Sequence, residues 1–241
     1  MPLYRLSPQS SPVSQLWSVP RPPLGELWVE ARDETALSLL NRLPDDGLAI
    51  VGTRYPREGS ESFTEQVIEG LQKSSLVILS GLARGIDRVA HEAALNFEIR
   101  TIGVLGCGHQ HVYPPESESL RKSIIKAGGL IVSEFSPETP PAKQNFVRRN
   151  RCLAAWSRAT CVIEAPAKSG ALITADYAME RHATVFSMPS FPGDPHFAGN
   201  QRLIDEYAAI PLWGTHSLGA VWLDLATRKA PFELSLFRQK N

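Results

Sequence analysis

Short apolar segments alternate with longer segments of mixed polarity from residue 48 onward. The apolar segments have the length of buried strands and lie at residues 48–51, 76–79, 101–105, 130–132, 160–163 and 184–187. The intervening segments have the length and period of amphipathic helices and lie at residues 60–73, 87–97, 117–126 and 171–181. Strands that are apolar on both faces belong in a sheet covered on both sides, so the pattern predicts an α/β fold. We expect a doubly wound, mostly parallel Rossmann-like sheet with helices on both faces.

The segments that flank this regular region have a different character. Residues 1–23 are rich in Ser and Pro and bury little apolar surface, so we expect a flexible arm there. Residues 24–226 are predicted to form one extended Rossmann-like domain, and residues 227–241 a flexible tail. Outside the regular region, we expect short elements at residues 27–29, 34–43, 200–207, 210–213 and 217–226.

Charge and cysteine content narrow the class of protein. Lys and Arg together number 25, as do Asp and Glu, so the formal net charge is zero and any nucleic-acid site must be locally basic. The three cysteines, Cys107, Cys152 and Cys161, form no CxxC pair, which fits a reducing compartment. No apolar run reaches the ~18–20 residues of a membrane span, and the first residues lack the apolar centre of a secretory signal. We therefore expect a cytoplasmic protein.

Small residues and glycines follow several predicted strands, where an open α/β sheet binds its ligands. Glycine allows a ligand close to the backbone, and free N–H groups at helix starts favour anions such as phosphate. Tight turns need small residues in any case, so a purely structural role stays open. The turns match neither GxGxxG nor GxxxxGK[ST], and no cofactor is expected. The candidate binding residues in these turns are Gly52, Arg54, Ser80, Gly81, Ser169, Gly170 and Thr174.

Residues 143–151 form the one dense basic stretch, KQNFVRRNR, with four cations, one aromatic residue and no acid. An aromatic ring among Lys and Arg is typical of single-strand binding, because the ring stacks on a base while the cations contact phosphates. The alternative is a solvated helix start, with the ring in the core and arginines paired with acids. The candidates in this stretch are Lys143, Phe146, Arg149, Asn150 and Arg151.

Two other groups of residues are candidates for a chemical role. Asp87 and His91 are four residues apart on a predicted helix and form either an acid–base pair or a simple intrahelical contact. Cys107, His109 and His111 alternate in a short loop, but their spacing does not match structural zinc sites and no fourth ligand is evident. We expect no metal site. No GxSxG elbow surrounds the serines of the turns, so no catalytic residue is predicted.

The turns and the basic stretch together resemble the DprA/Smf family of DNA-processing proteins. The motifs that carry the resemblance are GTR at 52–54, SGLARGID at 80–87 followed by Ala90-His91, FVRRNR at 146–151, SGALITA at 169–175 and Gly199-Asn200. They run from about residue 48 to residue 207 in the family's order and spacing. The resemblance implies a cytoplasmic, homodimeric protein of natural transformation that binds single-stranded DNA and helps to load the RecA recombinase.

The resemblance also implies roles for individual residues. The family's strand-contacting arginine, lysine and phenylalanine match Arg54, Lys143 and Phe146, and its RNR motif matches residues 149–151. Val147 replaces a usual proline, and Ala155-Trp156 replaces a usual glycine. We expect a reduced N-terminal helical domain, and the chain after Leu225 is too short for the family's C-terminal winged helix.

Two further hypotheses concern catalysis and the tail. The sheet also resembles LOG-type nucleotide phosphoribohydrolases, but the PGGxGTxxE loop is replaced by AKSGA at 167–171, with no glutamate until Glu180. A non-catalytic nucleotide sensor is another alternative. The sequence Glu233-Leu234-Ser235-Leu236-Phe237 resembles peptides that bind the sliding clamp, since spaced apolar anchors fill grooves on partners. Coincidence, or a tail folded back on its own domain, would also account for it.

Overall fold

The computed structural model describes residues 1–9, 13–19, 23, 25–190 and 192–214. Within these residues, nine strands form one sheet with the order β1-β2-β6-β5-β4-β3-β7-β8-β9. The strands are β1 (Leu3–Leu6), β2 (Leu27–Glu30), β3 (Gly47–Val51), β4 (Val77–Ser80), β5 (Arg100–Val104), β6 (Leu130–Ser133), β7 (Ala159–Val162), β8 (Thr184–Ser187) and β9 (Ile210–Pro211).

Six α-helices connect these strands in the described part of the chain. They are α1 (Glu58–Glu69), α2 (Ile86–Asn96), α3 (Glu118–Lys126), α4 (Lys143–Ala155), α5 (Gly170–Glu180) and α6 (Ala198–Tyr207). Short 3₁₀ helices lie at Ser14–Leu16, Glu34–Arg42, Pro115–Ser117 and Pro195–Phe197. None of the helices that the structure describes is long and apolar enough to cross a membrane.

The predicted fold class is confirmed. Strands β3 to β9 are all parallel, and the register of β3 pairs Leu48 with Ile78 on one side and with Ala159 on the other. At one edge, β2 runs antiparallel to β6 and β1 runs antiparallel to β2, so β2 is the one reversed strand of the described sheet. The parallel strands are buried on both faces, which explains why their sequences are continuously apolar.

Alternate residues of each strand pack into the two layers of helices. In β3, Leu48 and Ile50 face the core under α1 and α2, whereas Val51 faces the core under α4 and α5. In β4, Ile78 lies in the first core and Leu79 in the second. This two-residue period places helices on both faces, as the sequence predicts.

The N-terminal segment differs from the expected flexible arm. Leu3–Leu6 is paired with Leu27–Glu30 at the edge of the sheet, and Val13 and Leu16 are buried in the core. The indole Nε1 of Trp156 donates a hydrogen bond of 3.2 Å to the carbonyl oxygen of Leu16. Strand pairing and burial offset the conformational entropy that is lost when this segment becomes ordered. The Ser- and Pro-rich composition alone did not indicate these contacts. The predicted helix at 217–226 and the tail at 227–241 lie outside the described residues.

The order of the sheet determines where a ligand can enter. From β3 the chain builds β4, β5 and β6 on one side, and then β7, β8 and β9 on the other. The direction of winding therefore reverses between β3 and β7. In an open parallel sheet, a crevice forms at the carboxyl ends of the strands where this reversal occurs.

Candidate functional site

A cleft with a volume of about 540 Å³ opens at the carboxyl ends of β3 and β7. Its walls are the loop at 52–55 after β3, the loop at 166–170 after β7, and the first two turns of α4. This is the position that the reversal of strand order predicts. Residues that are distant in sequence thus meet around one concavity.

The loop after β3 presents an exposed arginine. Its backbone is fixed on both sides, since Thr53 N donates to the carbonyl of Glu164 (2.7 Å) and Ile86 N donates to the carbonyl of Thr53 (3.2 Å). A Cβ atom at Gly52 would lie 2.6 Å from Cγ1 of Ile86, so glycine is required for this close approach. Gly52 shapes the loop, and the side chain of Arg54 extends into solvent at the cleft.

The turn after β4 is a packed structural element beneath the cleft. Ser80 is buried, and its hydroxyl donates to the carbonyl of Ile50 (2.7 Å). A Cβ atom at Gly81 would lie 2.1 Å from Nη1 of Arg149. The carboxylate of Asp87 accepts from Gly81 N (3.1 Å), and burial raises the pKa of Asp87 while the charge of Arg149 opposes this shift. Ser80 and Gly81 were predicted to contact a ligand, but both are buried and neither lines the main cleft.

Arg149 is the main departure from the predicted site. It is only 5% exposed, and its guanidinium donates to the carbonyl oxygens of Val104 (2.6 Å) and Gly81. Its Nε donates to Oδ1 of Asn150 (3.0 Å). Burial lowers the pKa of Arg149, and the nearby Asp87 opposes this shift. Because its Nη1 and Nε donors are bonded within the protein, Arg149 orders the base of the cleft that it lines.

The two neighbouring arginines are paired with a buried acid. Glu134 follows β6, and its side chain is only 2% exposed. Arg148 lies 3.1 Å from its carboxylate, and Arg151 donates to the same group. The guanidinium of Arg148 also lies 5.0 Å from the ring centroid of Phe135. Arg151, predicted as a strand contact, therefore joins α4 to β6, as the alternative of arginines paired with acids expects.

The N-terminus of α5 faces the cleft and is held by α4. Nδ2 of Asn150 donates to the carbonyl of Gly170 (3.1 Å), and Oγ of Ser169 accepts from Ala171 N (3.2 Å) as the N-cap. Gly170 is exposed, whereas Thr174, one turn further, is buried. The predicted residues Asn150, Ser169 and Gly170 are thus brought together. The positive end of a helix dipole at this point favours an anion.

Three exposed cations surround a half-buried aromatic ring. Lys143 begins α4, Arg54 follows β3, and Lys168 precedes the N-cap of α5. The guanidinium carbon of Arg54 lies 6.0 Å from the ring centroid of Phe146. That ring covers Gly106, where a Cβ atom would come within 2.5 Å of it. Lys168 was not among the predicted residues. Its position directly before the N-cap of a predicted helix is the feature of the sequence that could have indicated it.

Two tyrosines at the rim were also missed. The ring centroid of Tyr113 lies 5.2 Å from that of Phe146, with the ring planes tilted by 42°. Tyr55 is 76% exposed on the loop after β3. Each is a single aromatic residue in a loop, so no sequence period indicates that the fold brings them to the cleft.

Asp87 and His91 do not form an acid–base pair. His91 is fully buried, and its Nδ1 lies 2.7 Å from Oγ1 of Thr101. Burial lowers the pKa of His91 to about 3. The two residues bind different neighbours, so the expected intrahelical contact is also absent from the hydrogen bonds of these described residues.

The Cys107, His109 and His111 loop has other hydrogen-bond partners. Nε2 of His109 lies 3.0 Å from the carbonyl oxygen of Trp28, and Nε2 of His111 lies 2.9 Å from that of Glu138. The described ranges contain no group of three or more His, Cys, Asp or Glu side chains that could hold a metal ion.

Glu164, directly after β7, is a buried carboxylate that the sequence analysis did not consider. Its side chain is 0% exposed; Oε2 accepts from Arg57 N (2.9 Å), and Oε1 lies 3.2 Å from Nδ1 of His196. The group therefore caps the start of α1. Among the described residues that line the cleft, Asp87 is the one carboxylate, and it accepts hydrogen bonds from the main chain.

The fold and the site define a class of protein: a Rossmann-like α/β protein with a cationic, aromatic cleft at the switch point of its sheet. Within that class the family is shown by sequence. The chain belongs to the DNA recombination-mediator protein A family, whose model matches residues 36–218. The predicted resemblance to DprA/Smf proteins is confirmed.

Individual relatives agree with this assignment. Protein Smf of Synechocystis sp. is 42% identical over 209 residues, which cover 86% of this chain and 51% of that protein. The X-ray structure of DNA processing protein A from Streptococcus pneumoniae superposes with a TM-score of 0.79 at 32% identity, covering 90% of this chain and 74% of that chain. A structure of DNA processing protein A from Helicobacter pylori, described for its unique single-stranded DNA binding mode, superposes with a TM-score of 0.77 at 26% identity, covering 92% of this chain and 96% of that chain. This chain spans about half the length of the curated relatives it matches.

Proposed function

We propose that this chain binds single-stranded DNA in the cleft, as a non-catalytic protein of DNA uptake in natural transformation and of recombination. The observation that carries the proposal is the placement of three exposed cations, Arg54, Lys143 and Lys168, around the ring of Phe146. Cations that line one cleft with an aromatic ring can hold phosphates of a strand while the ring stacks on a base. The N-terminus of α5 adds a further favourable position for a phosphate.

The position of Phe146 favours a single strand over a duplex. Its ring lines the cleft and packs against Gly106, so a base can reach it only from the cleft. In a duplex, both faces of each base are covered by neighbouring bases, and stacking on Phe146 would require unpairing. Because the contacts are to phosphates and to one π-face, we expect little sequence preference.

We propose binding without catalysis. The carboxylates nearest the cleft, Asp87 and Glu164, are buried and accept hydrogen bonds from main-chain N–H groups. A phosphoribohydrolase needs a carboxylate that reaches the substrate. Incubation with nucleoside monophosphates, followed by chromatography for the free base, should show no release above a blank. Steady release that depends on protein concentration would favour the enzyme hypothesis.

The decisive experiment compares a labelled strand of ~20–35 nucleotides with the same sequence as duplex, across a salt series, by fluorescence anisotropy. We expect clear preference for the single strand and a logarithmic salt dependence of about −0.7 per phosphate contacted. Equal affinity for both forms, or no binding at micromolar protein, would contradict the proposal. A thermal shift with one mononucleotide, together with no oligonucleotide binding, would favour the nucleotide sensor.

The proposal extends to partners and location. By similarity to its family, we propose a cytoplasmic homodimer that helps to load RecA. Light scattering should give twice the mass of the chain, and the chain should accelerate RecA filament formation on a protein-coated single strand. The clamp-binding motif at 233–237 lies outside the described residues and stays a prediction. A labelled tail peptide that shows no saturable binding to purified clamp at tens of micromolar would exclude it.

A further inference from the structure

A second, smaller hollow adjoins the cleft on the other side of Phe146. It is separated from the main cleft by the side chains of Arg54 and Phe146, which line both concavities. The residues that line it are Arg54, Gly81, Ala83, Arg84, Tyr113, Pro114 and Phe146. A chain molecule that occupies the main cleft and passes over Phe146 therefore reaches the rim of this hollow next.

Aromatic groups dominate the rim of the hollow. Tyr113 is 41% exposed, and its ring centroid is 5.2 Å from that of Phe146. Because the planes are tilted by 42°, the two rings are not stacked face to face. Tyr55, 76% exposed, belongs to the loop between the two concavities. Exposed aromatic faces at this density are the surface on which successive unpaired bases stack.

The charges of the hollow differ from those of the main cleft. Its second cation, Arg84, is already paired, since its Nε donates to the carboxylate of Glu116. Glu116, and to a smaller extent Tyr55, raises the pKa of Arg84. A paired cation beside a carboxylate offers little to a phosphate, whereas the uncharged faces of Tyr113 and Phe146 remain available. The hollow itself, at about 20 Å³, is too small to enclose a base, so a base would lie across its rim against the exposed rings.

We propose that Tyr113 is a second base-stacking residue, which receives the base that follows the one stacked on Phe146. This proposal rests on the proposed binding of single-stranded DNA and deepens it. The main cleft would hold phosphates through Arg54, Lys143 and Lys168, and the next base would stack on Tyr113 at the rim of the hollow. The strand thus runs across the carboxyl edge of the sheet from α5 toward the loop that carries Tyr113.

Substitutions separate a stacking role from a charge role. Tyr113→Ala should weaken binding of a ~20-nucleotide strand by roughly fivefold or more, because it removes one base–aromatic stack. The slope of affinity against salt should not change, since no phosphate contact is lost. Tyr113→Phe should bind like the wild type because it keeps the ring. Tyr207→Ala is the matched control: Tyr207 is a half-exposed tyrosine at the end of α6, at the opposite edge of the sheet.

Photocrosslinking of the wild-type protein tests the same contact without a substitution. A strand with 5-iododeoxyuridine at each position in turn is irradiated, and the crosslinked peptides are identified by mass spectrometry. We expect crosslinks to Phe146 and Tyr113 from adjacent positions of the strand. Wild-type binding with crosslinks to Phe146 alone, and a Tyr113→Ala variant that binds as tightly as wild type, would overturn this inference and leave the proposed function intact. If the wild type bound no strand at all, both this inference and the proposed function would be wrong.

Discussion

At the scale of single residues, Lys143 and Arg149 show that cations of one helix can have opposite roles. Both belong to α4, six positions apart. Lys143 is exposed at the mouth of the cleft, whereas Arg149 is buried and donates to main-chain carbonyl oxygens. A buried guanidinium is retained only where its donors are satisfied, so Arg149 is a structural group. The exposed cations are the ones expected to contact DNA.

Removing one exposed cation should change both affinity and its salt dependence. Lys143→Ala or Arg54→Ala should weaken single-strand binding and flatten the salt slope by about 0.7, the value for one lost phosphate contact. Anisotropy titrations at several salt concentrations measure both quantities. Lys73→Ala is the matched control, because Lys73 is exposed before β4 at the opposite edge of the sheet. If the control and the site variants flatten the slope equally, the contacts are not local to the cleft.

Removing the ring of Phe146 should change affinity alone. Phe146→Ala should cost about 1–3 kcal/mol of binding free energy, the range for one base–aromatic stack. The salt slope should stay at the wild-type value because no charge is removed. Phe146→Tyr keeps the ring and serves as the conservative control. A steep change in slope for Phe146→Ala would show that the helix start had moved and that the effect was not stacking.

At the scale of elements, α4 carries most of the site and depends on one acid for its position. Glu134, at the end of β6, pairs with Arg148 and Arg151 on successive turns of the helix. Asn150 links the same helix to the start of α5. These contacts determine the direction in which Lys143 and Phe146 point. A sequence motif that looks like a DNA contact is thus in part an anchor for the helix.

Loss of this acid should reduce stability first. Glu134→Gln should lower the free energy of unfolding by roughly 1.5–3 kcal/mol, the range for hydrogen bonds to charged groups. Urea denaturation followed by circular dichroism measures this change. Glu118→Gln removes the acid of an exposed pair with Lys122 and should have no measurable effect. Equal stability of Glu134→Gln and wild type would mean that α4 is held by its apolar face alone.

At the scale of the whole molecule, the protein has no net charge but has a locally basic cleft at one edge of its sheet. Lys and Arg equal Asp and Glu in number, so long-range attraction to DNA is weak. The strand-order reversal between β3 and β7 concentrates cations from three separate segments at one edge. The proposed binding therefore depends on the correct fold of the entire sheet.

Global stability should fall in acid because of His91. Its pKa is lowered to about 3 by burial, from 6.5 when exposed, so the unfolded chain takes up a proton that the folded chain refuses. The stability that comes from burying His91 in its neutral form is fully present above pH 6.5, and it is lost as the pH falls from 6.5 toward 3. The slope is at most about 1.4 kcal/mol per pH unit for one proton.

Comparison with a variant isolates this effect. Burial raises the pKa of Asp87, which acts in the opposite direction as the pH falls, so the wild-type curve alone mixes the two groups. His91→Gln removes one of them. We expect the difference in unfolding free energy between wild type and His91→Gln to shrink between pH 7 and pH 4. A difference that does not change with pH would show that His91 is not protonated on unfolding.

The structure brings some of the predicted site residues together and separates others. Arg54, Lys143, Phe146, Ser169 and Gly170 do meet at one cleft, because strand-to-helix turns of a parallel sheet share an edge. Ser80, Gly81 and Arg151 do not line this cleft, and Arg149 and Thr174 line it only as buried side chains. No sequence pattern separates the two groups, since burial depends on which carbonyl or carboxylate lies opposite each side chain. The edge strand Leu3–Leu6 was missed because its partner β2 is distant in sequence.

The sequence by itself determined the fold class, the edge of the sheet that carries the site and the family of the protein. The apolar period, the strand length and the glycine turns are local properties of the sequence, so they can be recognised without knowing which segments pack together. Only the tertiary structure decided which cations are exposed, that Lys168 joins them, and that Tyr113 lies against Phe146. Those facts depend on long-range packing, in which a charge is either satisfied inside the protein or left free for a ligand.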